Sequence, residues 1–501
     1  MLKNVKLITI IIPVLILFLN SCSKPDNEHN IQANGLTVAA ALTEARTANG
    51  MYISWKEHII DDEIIGDVQI RGSDGLVVAD LDLDGYPDIV SVHESDTEYD
   101  GVADGHIRLA FGSGNPDQWE LATLAEGIEA AAPEDVAIGD INGDGFPDII
   151  AACELAHLIY FENPGVNIRS GNWKRLIPDI ANNRGSFIRV FLADLDGDKR
   201  LEIIATNKGA QDPTATALIP KPVSWFEING QPLDNDAWIE HEFTRLLWPI
   251  NAQPVDLDSD GDIDVVAGSV AEGRIMWFEN FSGQGNAGQF KEHRIDITWS
   301  EEINPGYSTR DGEQHRVNGF NMDFTDMDAD GRLDIVLFEA ENLLGDQLGW
   351  LEQPPTDQDQ WRFHYIGNYR PDVLVGIIIS DVNQDGHPDI MTGGYSFGDR
   401  DTDGEVPVTA RMGRLAWFEN TGSPDRGWIR HDISRRKRGM YDKFVALDLD
   451  GDGDPDYLST RGNSSIYDGV LWLEQVRTPY PVPVFQQART RDSQEMPLPR
   501  D

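Results

Sequence analysis

Three patterns of apolar and polar residues recur along the chain in a fixed order. The first is an apolar run that ends in an acidic loop, D-x-[DN]-x-D-G-x-x-[DE] with small departures. Its copies are DLDLDGYPD from Asp80, DINGDGFPD from Asp140, DLDGDKRLE from Asp194, DLDSDGDID from Asp256, DMDADGRLD from Asp326, DVNQDGHPD from Asp381 and DLDGDGDPD from Asp448. Their starts lie 60, 54, 62, 70, 55 and 67 residues apart. The second pattern is a short strand after each loop: AFGS from Ala110, YFENPG from Tyr160, WFEING from Trp225, WFENFSG from Trp277, WLEQPP from Trp350, WFENTG from Trp417 and WLEQVR from Trp472. The third is a further strand: WELATL from Trp119, WKRLI from Trp173, WIEHEF from Trp238, FKEHRI from Phe290, WRFHYI from Trp361 and WIRHDI from Trp428.

A repeat of this length accommodates four short antiparallel strands, the unit of one propeller blade. The pattern therefore predicts an all-β fold, a seven-bladed β-propeller. Only six copies of the third pattern follow the loops. The seventh, WKEHII from Trp55, precedes the first loop. Residues near 53–60 are accordingly expected to complete the last blade and close the ring, which hides strand edges that an open array would expose. The propeller is expected over 51–477, with 478–501 as an irregular C-terminal strap.

The chain has 501 residues and a formal net charge of −46. Such acidity argues against nucleic acid and against an anionic membrane surface as partner. It begins with a Lys-bearing start and a short apolar run that ends Leu19-Asn20-Ser21-Cys22. This reads as a signal peptide over 1–21, and its end resembles a bacterial lipobox. The resemblance implies lipidation at Cys22, a polar tether over 22–50, and export to the bacterial outer membrane. Cys22 and Cys153 are the two cysteines, so no disulfide framework is expected in the mature chain.

The acidic loop presents side-chain oxygens at positions 1, 3, 5 and 9, a spacing that wraps a short segment around one calcium ion. The pattern resembles the FG-GAP or VCBS repeats of propeller proteins, in which the loop joins the first two strands of a blade and binds calcium. Position by position, the resemblance implies structural calcium ligands at Asp80, Asp82, Asp84 and Asp88; Asp140, Asn142, Asp144 and Asp148; Asp194, Asp196, Asp198 and Glu202; Asp256, Asp258, Asp260 and Asp264; Asp326, Asp328, Asp330 and Asp334; Asp381, Asn383, Asp385 and Asp389; and Asp448, Asp450, Asp452 and Asp456. The third loop departs from the pattern at Lys199 and Glu202, which puts its occupancy in question.

The repeat also sorts the remaining polar residues by face. His58, His241, His293, His364 and His431 share one slot in the third pattern and read as structural. His93, His106, His157 and His315 do not repeat, and all fall in segments at the face opposite the acidic loops. Arg71, Arg184, Arg189, Lys208, Arg316, Arg370, the run Arg435-Arg436-Lys437-Arg438, Lys443 and Arg461 fall there too, with Trp248, Tyr395, Tyr441 and Tyr467. Cations gathered on one face of so acidic a chain would focus an anionic ligand there.

Such a face suits an anionic oligosaccharide and a β-elimination at a uronate: a cation neutralises the carboxylate while a His or Tyr removes the neighbouring proton. Hydrolysis would need a pair of carboxylates, which Glu94, Glu134, Glu154, Glu339 and Glu341 could supply. The FG-GAP loops with W-F-E-N strands also resemble propeller sugar dehydratases, the aldos-2-ulose dehydratases and bacterial ulvan-oligosaccharide dehydratases among them. That resemblance implies loss of water from a non-reducing-end uronate. The expected roles are His93 and His157 as acid and base, with His315 and Tyr395 as alternates. Arg189 and Arg316 would hold the carboxylate, and Arg71, Lys208, Arg461 and Trp248 would line the substrate. The chain is expected to be a monomer. The rival readings are a polysaccharide lyase, a non-catalytic, calcium-dependent propeller that binds glycan or protein, and a purely structural surface lipoprotein.

Overall fold

A computed structural model describes residues 41–95, 101–169, 172–212, 218–281, 288–299, 315–340, 345–356, 360–370, 372–395, 413–425, 427–435 and 439–489. Cys22, His29, Glu341, residues 436–438 and the tail beyond 489 lie outside them, as does the side chain of Arg435. The described strands form seven sheets arranged as a seven-bladed β-propeller. In blade 1 the inner strand Ser73–Ala79 is followed outward by Asp88–His93, His106–Phe111 and Glu120–Glu126, all antiparallel. Blades 2, 3, 4 and 6 repeat this order, with inner strands Pro133–Gly139, Phe187–Ala193, Pro249–Val255 and Val373–Ser380. Blade 5, with inner strand Asp323–Thr325, carries an additional edge strand, Ile297–Trp299, parallel to Trp361–Asn368.

Blade 7 takes its first three strands from Phe444–Leu447, Asp456–Arg461 and Gly469–Thr478. Its fourth is Tyr52–Asp62, antiparallel to Gly469–Thr478 with His58 opposite Trp472. Phe485–Gln486 then adds a short parallel edge against Trp55–Lys56. Hydrogen bonds join blade 7 to blade 1: Thr460 Oγ1 donates to the Asp74 carbonyl at 2.9 Å, and Gly72 N–H donates to Asp468 at 2.8 Å.

The motif W-[FL]-E-[NQ] explains why loop and strand recur together. Alternate residues of a strand face opposite sides. The Trp therefore shares a side with the Glu two residues on, and the His of the outer strand sits directly across from the Trp. His58, His241, His293, His364 and His431 stack on Trp472, Trp225, Trp277, Trp350 and Trp417 with ring centroids 4.0 to 4.4 Å apart. Each also bonds its motif carboxylate through Nε2: Glu474 at 2.5 Å, Glu227 at 3.1 Å, Glu279 at 2.5 Å, Glu352 at 2.7 Å and Glu419 at 2.6 Å. These are cross-strand ties of the kind that hold sheets in register.

The last motif residue links blades. Its side-chain amide donates to the second carbonyl of the acidic loop in the preceding blade: Asn163 to Leu81 at 3.0 Å, Asn280 to Leu195 at 2.8 Å, Gln353 to Leu257 at 3.1 Å and Gln475 to Val382 at 3.0 Å. Its own backbone N–H bonds the ninth loop carboxylate of the same blade, as Gln475 does to Asp456 at 2.9 Å. One tetrapeptide thus fixes the outer strand, the local loop and the neighbouring blade.

Candidate functional site

The seven acidic loops share one shape and one face. In loop 1 the Asp84 and Gly85 amides donate to Asp80 at 3.0 and 2.9 Å, and Leu81 N–H donates to Asp88 at 2.9 Å. The third loop keeps the last two bonds, Lys199 donating to Asp194 at 3.0 Å and Leu195 to Glu202 at 2.7 Å, while Gly197, one position before the counterpart of Asp84, donates to Asp194 at 2.8 Å. Position 6 lies at positive φ throughout; Lys199, at +75°, adopts there a conformation that glycine takes in the other six loops. Carboxylate oxygens of Asp80, Asp82 and Asp88 fall within 4.8 Å of one another, as do those of Asp194, Asp196 and Glu202, of Asp256, Asp258 and Asp260, and of Asp326, Asp328 and Asp334.

The ninth-position carboxyls are buried. Burial, with the neighbouring loop carboxylates adding to it, raises Asp88 and Asp148 to about 6, Asp264, Asp334 and Asp456 to about 7, and Glu202 and Asp389 to about 8. Backbone N–H donors oppose that rise in each case.

The opposite face holds the non-repeating residues, and the structure separates them into different settings. His93 ends the second strand of blade 1, fully buried between Ser73 Oγ at 2.6 Å and Ser91 Oγ at 3.0 Å. Burial drives its pKa well below the ordinary histidine value. His157 is also buried and bonds the Glu129 carbonyl at 3.1 Å; burial lowers its pKa too. His106 is half-buried, with Ser95 Oγ at 3.5 Å.

The cations of this face are largely matched by carboxylates. Arg189 is enclosed and bonds both oxygens of Asp442 at 3.1 and 3.0 Å, with its guanidinium over the Phe320 ring. Lys208 pairs with Glu154, Arg461 with Glu57 at 3.2 Å, Lys443 with Asp135 at 3.5 Å, Arg370 with Asp346 at 2.6 Å and Arg184 with Glu240 at 2.5 Å. The expected cationic funnel is thus a set of ion pairs, and Arg189, Lys208 and Arg461 are internal struts. Arg71 is half-buried in the segment that enters blade 1.

His315 stands apart. Its Nδ1 lies 2.5 Å from Glu339 Oε1, and its ring stacks on Trp299 at 4.7 Å. The pair sits where the chain enters blade 5, with His315 half-buried. Arg316, next in sequence, is exposed and lays its stem over Gly273 of blade 4, where an added Cβ would come within 2.7 Å of Arg316 Cδ. Trp248 and Tyr395 pack against one apolar cluster that includes Phe338 and Ala340, the two neighbours of Glu339. His315, Arg316, Trp248 and Tyr395 are therefore drawn to the blade 4–6 side, while His93 and His157 belong to blades 1 and 2. Sequence reasoning grouped His93 with His315 because it fixed the face and not the sector; Glu339 as the partner of His315 was not singled out.

A second group is more deeply buried. Asp74, Glu94 and Glu134 each bring one oxygen within 4.8 Å of the others. Glu154 adds to them, and burial together with Glu154 and Glu94 raises the Glu134 carboxyl well above its ordinary range.

A family model described as an FG-GAP-like repeat matches residues 80–151, which span the first two acidic loops and the strands between them. Among curated proteins, none matches the chain.

Proposed function

For a seven-bladed β-propeller built of FG-GAP-like repeats, we propose a carbon–oxygen lyase that acts by β-elimination on uronic-acid-containing, ulvan-like oligosaccharides, as a dehydratase at the non-reducing-end uronate. The observation that carries this reading is the His315–Glu339 pair beside the exposed Arg316. Glu339 at Nδ1 selects the tautomer in which that nitrogen donates, which leaves Nε2 as the basic atom. In the proposed reaction Nε2 takes the proton from the carbon next to the uronate carboxylate, and the C–H electron pair becomes the new double bond. The C–O bond one carbon further on breaks, and the leaving oxygen is protonated and departs as water. Arg316 stabilises the negative charge that builds on the carboxylate. Tyr395 is the candidate donor to the leaving oxygen, and Trp248 offers a face for a sugar ring. This assignment shifts the acid–base role from the enclosed His93 and His157 to His315.

The same reading gives each acidic loop a structural calcium ion. The residues fit it: four oxygen donors per loop, a shared backbone turn, and a buried ninth carboxylate whose charge a bound cation would offset. Calcium would hold the loop faces of the blades in place and takes no part in the elimination. Export with a lipid anchor at Cys22 rests on the N-terminal sequence.

The test is incubation with a panel of uronate oligosaccharides, following ultraviolet absorbance of the unsaturated product and its mass. A rise with loss of one water and no change in chain length supports the dehydratase. A rise with shortened chains would instead make the protein a polysaccharide lyase. Binding without any rise would make it a non-catalytic glycan-binding propeller.

A further inference from the structure

The residue just after the second strand makes the same backbone bond in blades 1 to 5. Glu94 N–H donates to the Gly72 carbonyl, Glu154 to Ala132, Lys208 to Ser186, Val270 to Trp248 and Ala340 to Arg316. The second residue of the inner strand is likewise equivalent in Asp74, Glu134, Ile188 and Ile250. Blades 3 to 5 fill these positions largely with apolar residues: Ile188, Ile250, Val270 and Ala340 belong to one apolar cluster. Blades 1 and 2 fill them with four buried carboxylates. The propeller framework is therefore satisfied by hydrocarbon at these positions, and the acids need a separate reason.

Two observations point to a ligand. Glu134 is 8 % exposed and, among the described residues, has no side-chain hydrogen bond or ion pair; the charged groups that act on it are Glu154 and Glu94, which oppose its charge, and Lys208 and Arg189, which favour it. Arg189, which faces Glu134 electrostatically from blade 3, is fully buried, and its Nε and Nη1 have no hydrogen-bond partner. A buried guanidinium with two idle donors is costly unless an oxygen occupies the space they face.

We infer that Asp74, Glu94 and Glu134 hold one divalent cation on the blade 1–2 side of the face opposite the acidic loops. Three carboxylates and no nitrogen or sulfur donors suit a hard ion. So few protein ligands leave coordination positions to water or to a ligand oxygen, which fits Mg²⁺ or Mn²⁺ better than a caged Ca²⁺. Arg189 would receive an oxygen of that water or ligand through its idle donors. This site is separate from the acidic loops, and the inference does not depend on the elimination reading.

Mn²⁺ serves as the probe. Anomalous diffraction from wild-type crystals soaked in Mn²⁺ is expected to show a peak between the three carboxylates, in addition to any in the loops. Mn²⁺ titration monitored by electron paramagnetic resonance is expected to lose one equivalent in Glu134→Gln, against wild type. No peak at the three carboxylates in the wild-type map, or an unchanged equivalence in a folded Glu134→Gln, would overturn the inference and leave shared protons as what neutralises the cluster. The diffraction measurement needs no variant, so it stands even if Glu134→Gln misfolds. Elimination activity is read separately, and its absence would bear on His315 alone.

Discussion

The two faces of this propeller are built on opposite rules. On the acidic-loop face every blade presents the same nine-residue pattern in the same turn, down to the sixth-position amide that serves the first carboxylate. On the other face the blades diverge: blade 1 has His93 and Glu94, blade 3 has Lys208, blade 4 has Val270, and blade 5 has Glu339 beside His315. Repetition is what a closed ring needs from its connections. Departure from repetition is where a sequence has been free to place chemistry. The histidines illustrate both rules. Five stack on a tryptophan and bond a motif glutamate at the same register. His315 has the same two kinds of partner, Trp299 and Glu339, but assembled from non-repeating segments and bonded through the other ring nitrogen.

If the loop face is the structural one, removing its cations should have the largest effect on stability. A bound ion at a hundred times its dissociation constant contributes about 2.7 kcal/mol per site. Chelation of several loops is expected to cost on the order of 10 kcal/mol and to lower the melting temperature by roughly 10 °C or more. An unchanged melting curve in chelator would break the comparison at its base. The effect carries a pH signature. In the cation-free protein the ninth carboxyls titrate near 6 to 8, from Asp88 at about 6 to Asp389 at about 8, against about 4 in an unfolded chain. Between those values the folded chain binds more protons than the unfolded one. Cation-free stability should therefore fall as pH rises through that window. Calcium must displace those protons, so its stabilisation should grow over the same range; calorimetry with and without calcium at a series of pH values reads this directly.

The next effect belongs to the repeat triads. Trp417 is fully buried and stacked on His431. Trp417→Ala should cost about 3–5 kcal/mol in urea denaturation while leaving the kinetics of any surviving folded fraction unchanged. A cost under about 1 kcal/mol would mean the triads are ornament. The smallest effect is a gain. Lys199 holds a left-handed conformation at φ +75° that glycine takes in the other six loops, so Lys199→Gly should stabilise by about 1 kcal/mol. Thermal melting in calcium would show it, and a loss would mean that the lysine side chain has a partner role of its own.

The fold was readable because its determinants are local and repeated. Asp80 to Asp88 and Trp472 to Gln475 carry the loop and the strand in a few residues each, and seven copies make the register plain. The face of each stray residue could be read from its place between patterns. Its partner could not. Arg189 meets Asp442 across 253 residues of the chain, and Arg108 meets Asp61 across a blade junction; neither pairing leaves a spacing in the sequence. Burial was equally hidden, which is why His93, held by Ser73 and Ser91, looked as available as His315. One signal of the buried acids is present in the sequence. Aligning the blades on their loops puts Glu94 and Glu154 in register with Val270 and Ala340, and that mismatch marks the buried acids from sequence alone.

The central claim is that chemistry resides on the non-repeating face, with His315 as its base. The most direct test is the rate of unsaturated-uronate formation by His315→Gln beside wild type, with melting recorded on the same samples. The account predicts a fall of about a hundredfold or more with melting unchanged. Equal rates in the two proteins, or no unsaturated product from wild type on any uronate oligosaccharide, would contradict it.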